Sequence, residues 1–172
     1  RRPTIRRHRP MQQPPSTHEA EAFHRALGDV LRVHGLRARE RTGYYGATVA
    51  GAHALEAIER LGPISLNRLA AELFVDKSTA SRIVGALEDR GWVVRTADPG
   101  DRRALRLHLT DAGYTLNDQL RADALWEMQT TLGGFDPVLR QHTLGFLREL
   151  ARTAALHAGA TGASCCLPGD AP

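Results

Sequence analysis

Two short stretches with the same hydrophobic spacing, joined by a tight link, constrain this chain more than any other feature. From Asp76 to Gly91 it reads DKSTASRIVGALEDRG, with Ala80, Ile83, Val84 and Leu87 at i, i+3, i+4 and i+7. That period is one face of an α-helix. Asp76 can cap its N-terminus, and Gly91 can end it in a left-handed conformation. Just upstream, Ser65 caps a run in which Leu66, Leu69, Ala70 and Leu73 repeat the stripe, with a short turn through Phe74 and Val75 between the two. Two short helices with matching apolar faces and a tight link make a helix-turn-helix.

The other face of the second helix opens with Lys77, Ser78, Thr79, Ser81 and Arg82. Small hydroxyls allow close approach to a major groove, and Arg82 can reach a base edge or a phosphate. The helix dipole favours phosphate at that end. An ordinary solvated face has a similar composition, so the flanking segments must decide.

After Gly91 the period changes from 3.6 to 2. Trp92–Arg95 is a strand candidate, and Leu105, Leu107 and Leu109 alternate with Arg106 and His108 in a half-buried strand. Between them lies TADPGDRRA, whose Asp98-Pro99-Gly100 marks a turn. This predicts a β-hairpin with arginines near its tip, a wing able to enter a minor groove where the negative potential is enhanced.

The remaining segments read as helices. One is expected from Thr17 to about Gly35, with Ala20, Phe23, Leu27, Val30, Leu31 and His34 on one face, followed by a loop or short turn over Leu36–Gly46. Thr48 caps a helix to Leu61, broken by Gly62-Pro63. Thr110 caps a long helix from about Asp111 to Leu132, and after Gly133-Gly134 a last helix runs from Asp136 to about Ala158, burying Leu139, Phe146, Leu147, Leu150 and Ala154. The expected fold class is mainly α with a small β-hairpin wing (α+β). A single domain over 18–158 holds a winged helix-turn-helix at 47–110 and long helices at 18–35 and 111–158. The long helices carry more apolar surface than a small winged domain can cover, which points to a dimer.

Five arginines fall in the first ten residues, among prolines, so residues 1–17 are expected to be disordered. They could form a basic arm that adds phosphate or minor-groove contacts. The preferred reading is that Met11 is the natural start. The tail, 159–172, is rich in Gly, Ala, Ser, Cys and Pro and is expected to be loose. The net charge of +4 suits an acidic partner such as nucleic acid. No apolar run approaches a membrane span and no signal peptide is present, so no membrane association and a cytoplasmic location are expected. The only cysteines, Cys165 and Cys166, are adjacent and allow no disulfide framework. There is no GxSxG elbow, phosphate loop, HExxH or GxGxxG, and the eight histidines lack metal-ligand spacing, so an enzyme is disfavoured.

From Gly62 to Gly113 the chain reads GPISLNRLAAELFVDKSTASRIVGALEDRGWVVRTADPGDRRALRLHLTDAG. The Leu69-Ala70 pair, the DKSTASR helix start, Leu87-Glu88 followed by Gly91, the Asp101-x-Arg103 of the wing and the Leu-Thr-x-x-Gly at Leu109–Gly113 resemble the MarR family of winged helix-turn-helix regulators. The outer helices match in layout rather than in motif. The resemblance implies a sequence-specific transcriptional regulator acting as a homodimer, its first and last helices interlocked and its two winged domains straddling a pseudo-palindrome in double-stranded DNA. It implies that the helix from Asp76 lies in the major groove, and that Arg103 reaches the minor groove while Asp101 holds it by a salt bridge. Arg95 and Arg102 become phosphate contacts, and Ser65 joins the DNA-facing set.

Many members of that family are repressors released by aromatic acids or other lipophilic molecules bound between the dimer helices and the DNA-binding domain. His34, Tyr44, Tyr45, His53 and Trp126 could line such a cleft here, or could simply pack. Oxidant sensing through a first-helix cysteine is disfavoured, because none is present. Cys165 and Cys166 could hold a soft metal or metalloid ion as paired thiolates, or could be inert thiols. A ligand-independent DNA-binding protein is a further reading. Apart from such an effector or ion, no cofactor is expected.

Overall fold

The computed structural model describes residues 14–98, 100 and 105–160, apart from the side chains of 156–160. Six helices and one hairpin follow in the order α1 (Thr17–Tyr44), α2 (Val49–Leu61), α3 (Leu66–Glu72), α4 (Lys77–Asp89), β1 (Val93–Ala97), β2 (Leu105–Leu109), α5 (Asp111–Gly133) and α6 (Pro137–Ala160). The chain divides into two compact units after Arg37.

From Thr17 on, the first unit is helical, and Phe23, Val30, Leu31, Val33 and Leu36 are 40–63% exposed. The loop expected over Leu36–Gly46 is not there: α1 continues to Tyr44. Arginine, alanine and glutamate are strong helix formers. Thr42 is buried, and its Oγ1 donates to the Ala38 carbonyl at 2.9 Å, so this turn is tied down from within. Gly43 faces open space, and the chain turns only at Gly46, where φ is +70°.

The second unit is built around the two predicted short helices. Leu55 and Ile58 of α2, Leu69 of α3, Val84 and Leu87 of α4, Val93 of β1, Leu107 of β2 and Leu116 of α5 form its core, each at most 6% exposed. Helices α2 to α5 each start at a side-chain cap. Thr48 accepts from the Gly51 N–H at 3.0 Å, Ser65 from Arg68 at 3.2 Å, Asp76 from Thr79 at 2.8 Å and Thr110 from Gly113 at 3.0 Å. Such caps satisfy N–H groups that the first turn leaves free.

In the hairpin Val93 pairs with Leu109, Arg95 with Leu107 and Ala97 with Leu105. Its base is fastened by an added bridge that the alternation did not reveal: Ile64 exchanges backbone hydrogen bonds with Leu107 at 2.8 and 3.4 Å. The wing is therefore anchored to the segment that opens α3.

The burial expected along α6 does not form within one chain. Leu139, Phe146 and Leu147 are 50–52% exposed. Ala154 is also exposed and Leu150 only half-buried. The described core is closed by α2–α5 and the hairpin, and no residue of α6 belongs to it.

Candidate functional site

The N-terminal turn of α4 is organised by one carboxylate. Asp76 accepts the Ser78 hydroxyl at 2.5 Å, the Thr79 N–H at 2.8 Å and the Thr79 hydroxyl at 2.8 Å. These bonds, the Ser78 hydroxyl first, hold its pKa below the ordinary carboxylate value. Thr79 Oγ1 in turn accepts from the Arg82 guanidinium at 3.1 Å. Three of the residues expected to face DNA thus form one network with the helix cap. Lys77, Ser78 and Arg82 are exposed, while Thr79 and Ser81 are half-buried beside them. Ser65 uses its Oγ to cap α3. Sequence reasoning saw Asp76 as a cap only; its spacing to Ser78 and Thr79 carried the signal for the rest.

Arg95 of β1 pairs with Glu88 of α4 at 3.1 Å, which links the hairpin directly to the second helix of the motif. Asp101, Arg102 and Arg103 lie outside the described residues. At the base of the loop Asp98 accepts the Gly100 N–H at 2.8 Å, in keeping with the turn expected there, and is ion-paired with Arg106. Arg106 also donates to the Pro63 carbonyl at 3.5 Å. This pairing was missed, although Arg106 lies opposite Thr96, two residues before Asp98.

A cleft of about 680 Å³ opens between the last turns of α1, α2 and α5, within the range of small-molecule sites. Among the residues expected at such a place, His53 lies on its wall. Tyr45 packs against the core and donates its hydroxyl to Asp123 at 2.7 Å, a bond that raises its pKa. Tyr44 is 85% exposed and meets Tyr45 edge to face with ring centroids 5.1 Å apart. Trp126 is 70% exposed, and His34 is exposed on α1; neither is among the lining residues. The polar lining residues Arg41, Glu56, Glu59, Arg60, Asn117 and Arg121 were not anticipated, because they come from three separate helices. Cys165 and Cys166 lie outside the described residues. Among the described ones no group of three or more His, Cys, Asp or Glu could hold a metal ion. No described helix is long and apolar enough to cross a membrane.

A capped helix-turn-helix followed by an antiparallel hairpin and two long helices defines a winged helix-turn-helix protein. The MarR family model matches residues 45–104, which span α2 to the hairpin loop. A protein of Thauera aromatica named as a transcriptional regulatory protein for the hcr operon is 27% identical over 157 residues, covering 86% of this chain and 93% of that one. The crystal structure of the MarR family transcription regulator SP03579 matches with a TM-score of 0.73 and 25% identity, over 83% of this chain and 97% of that one. A MarR variant from E. coli, complexed with operator DNA, shares the fold with a TM-score of 0.67 and 20% identity over 80% of this chain and 99% of that one. Over residues 45–104 the chain matches the MarR family, and its fold is that of solved MarR-family structures. The relative from Thauera aromatica and the solved MarR-family structure are both described as transcriptional regulators.

Proposed function

We propose that the protein is a homodimeric repressor that binds a pseudo-palindromic operator and leaves it when a small molecule occupies the cleft. The observation that carries the DNA-binding part is the N-terminal turn of α4, where Asp76 organises Ser78, Thr79 and Arg82 on an accessible face. Donors held in place lose less side-chain entropy on binding. In this reading α4 enters the major groove with Lys77, Ser78, Thr79, Ser81 and Arg82. Ser65 and Arg95 approach the backbone with Arg102, and Arg103 of the wing enters the minor groove beside Asp101. The E. coli protein of the same fold in complex with operator DNA supports this arrangement by analogy.

The dimer is supported by the half-exposed apolar side chains of α6 and by those of the N-terminal part of α1. A two-fold dimer would present two copies of α4 to half-sites about one helical turn apart. Release by a ligand is supported by the cleft, which is lined in part by α2, a helix whose other residues share the core with α3 and α4.

The test begins with recovery of DNA fragments bound by the protein from its source genome, followed by gel-shift titration at fixed salt. Arg103→Ala is expected to cost about 1–3 kcal/mol in binding, and Arg82→Ala to weaken binding and relax base preference. Unchanged affinity in both variants would reject this mode of DNA binding.

A further inference from the structure

The cleft between α1, α2 and α5 has an apolar floor, made by Val49, Ala52, Leu120 and Leu125 among others, and a charged rim. Three guanidiniums reach that rim, and each is already held. Arg41 pairs with Glu127 at 2.7 Å, Arg60 with Glu72 at 2.7 Å, and Arg121 with Asp118 at 2.6 Å and Glu59 at 4.0 Å. Asn117 donates to Glu59 as well. Arg68 is a second partner of Glu72 at 2.9 Å.

Glu59, Glu72, Asp118 and Glu127 thus each hold an arginine, and one carboxylate of the cleft remains. The one left over is Glu56. It lines the cleft, is exposed, and takes part in no ion pair or side-chain hydrogen bond among the described residues. His53 lies three residues before it, on the same side of α2, and also lines the cleft.

A carboxylate ligand entering this cleft would share each arginine with a side-chain carboxylate already bound to it, and it would meet Glu56 as a like charge. A cation would pair with Glu56 without breaking any existing bond. The apolar floor lowers the local dielectric, which enlarges both effects.

We infer that this cleft selects an organic cation, an ammonium or amidinium group on an apolar body, over an anion of the same shape. The charge selection is a property of the cleft itself; its regulatory consequence rests on the effector-release reading above. The experiment is isothermal titration of the full chain with phenethylammonium, phenylacetate and phenethyl alcohol, which share one aromatic body and differ in charge. The ammonium is expected to bind at least about tenfold more tightly than the carboxylate, with the alcohol between them. Glu56→Gln is expected to erase most of that preference and leave the alcohol unchanged. Carboxylate binding as tight as ammonium binding, a preference that survives in Glu56→Gln, or no binding of any of the three would overturn the inference. A gel shift with the same ligands separates the two readings. Selective ammonium binding without release from DNA keeps the charge selection and removes the regulatory role.

Discussion

The carbonyl oxygen of Trp92 occupies the space beside Gly113 so closely that a Cβ at Gly113 would stand 2.0 Å from it. The same carbonyl accepts the Thr110 N–H at 3.0 Å, and Thr110 Oγ1 donates to the Gly91 carbonyl at 2.6 Å. The start of α5 is thus clamped against the turn between α4 and β1. Backbone cannot swing aside as a flexible side chain can. Gly113→Ala is expected to destabilise the fold by about 3 kcal/mol or more, measured by urea unfolding. A loss below about 1 kcal/mol would show that the two segments can separate without cost.

Phe74 is the one described non-glycine residue with positive φ, at 54°, and its side chain is 59% exposed. The left-handed conformation costs an L-residue roughly 1–2 kcal/mol. Phe74→Gly removes that cost and adds about 0.4–1 kcal/mol of chain entropy to the unfolded state. The expected result is a modest net stabilisation, read as a raised Tm. A lowered Tm would mean that the Phe74 ring supplies more packing than its exposure suggests.

Asp76 ties stability to acid pH. Its pKa is lowered in the folded protein from an ordinary 3.8, so the unfolded chain binds the proton more readily. Its contribution is fully present above 3.8 and is lost as pH falls through the lower folded value. Wild type is expected to be more stable than Asp76→Asn by a constant margin from about pH 8 to pH 5, and by a shrinking margin below about pH 4. Unfolding titrations across that range check it; a margin independent of pH would assign the effect to hydrogen-bond geometry alone.

The apolar side chains of α6 bear on assembly. Phe146 and Leu147 are 52% and 50% exposed in one chain, which a charged replacement could tolerate in a monomer. Phe146→Asp combined with Leu147→Asp is expected to give monomers by light scattering, with little loss of helix by circular dichroism. A variant that remains dimeric and still binds DNA would place the dimer contact elsewhere.

Local pattern was enough for the helix-turn-helix, its caps and the hairpin. Each depends on interactions within a few residues: Asp76 with Thr79, Ser65 with Arg68, Leu105–Leu109 with its period of two. The end of α1 was misjudged because glycine and arginine composition suggested a loop, whereas Thr42 becomes helical through burial against the rest of its unit. Only tertiary structure could bring Ile64 to Leu107, Glu88 to Arg95, Trp92 to Gly113 and Asn117 to Glu59. These pairs are distant in sequence or lie on different elements, and no periodicity encodes which side chains meet. The cleft shows the same division most plainly. The sequence by itself determined a winged helix-turn-helix and its fold class, since a capped amphipathic helix carries its own geometry. Which arginines are paired with carboxylates, and that Glu56 has no such partner among the described residues, depends on the packing of α1, α2 and α5, because a charge acts through its distance to its neighbours in space.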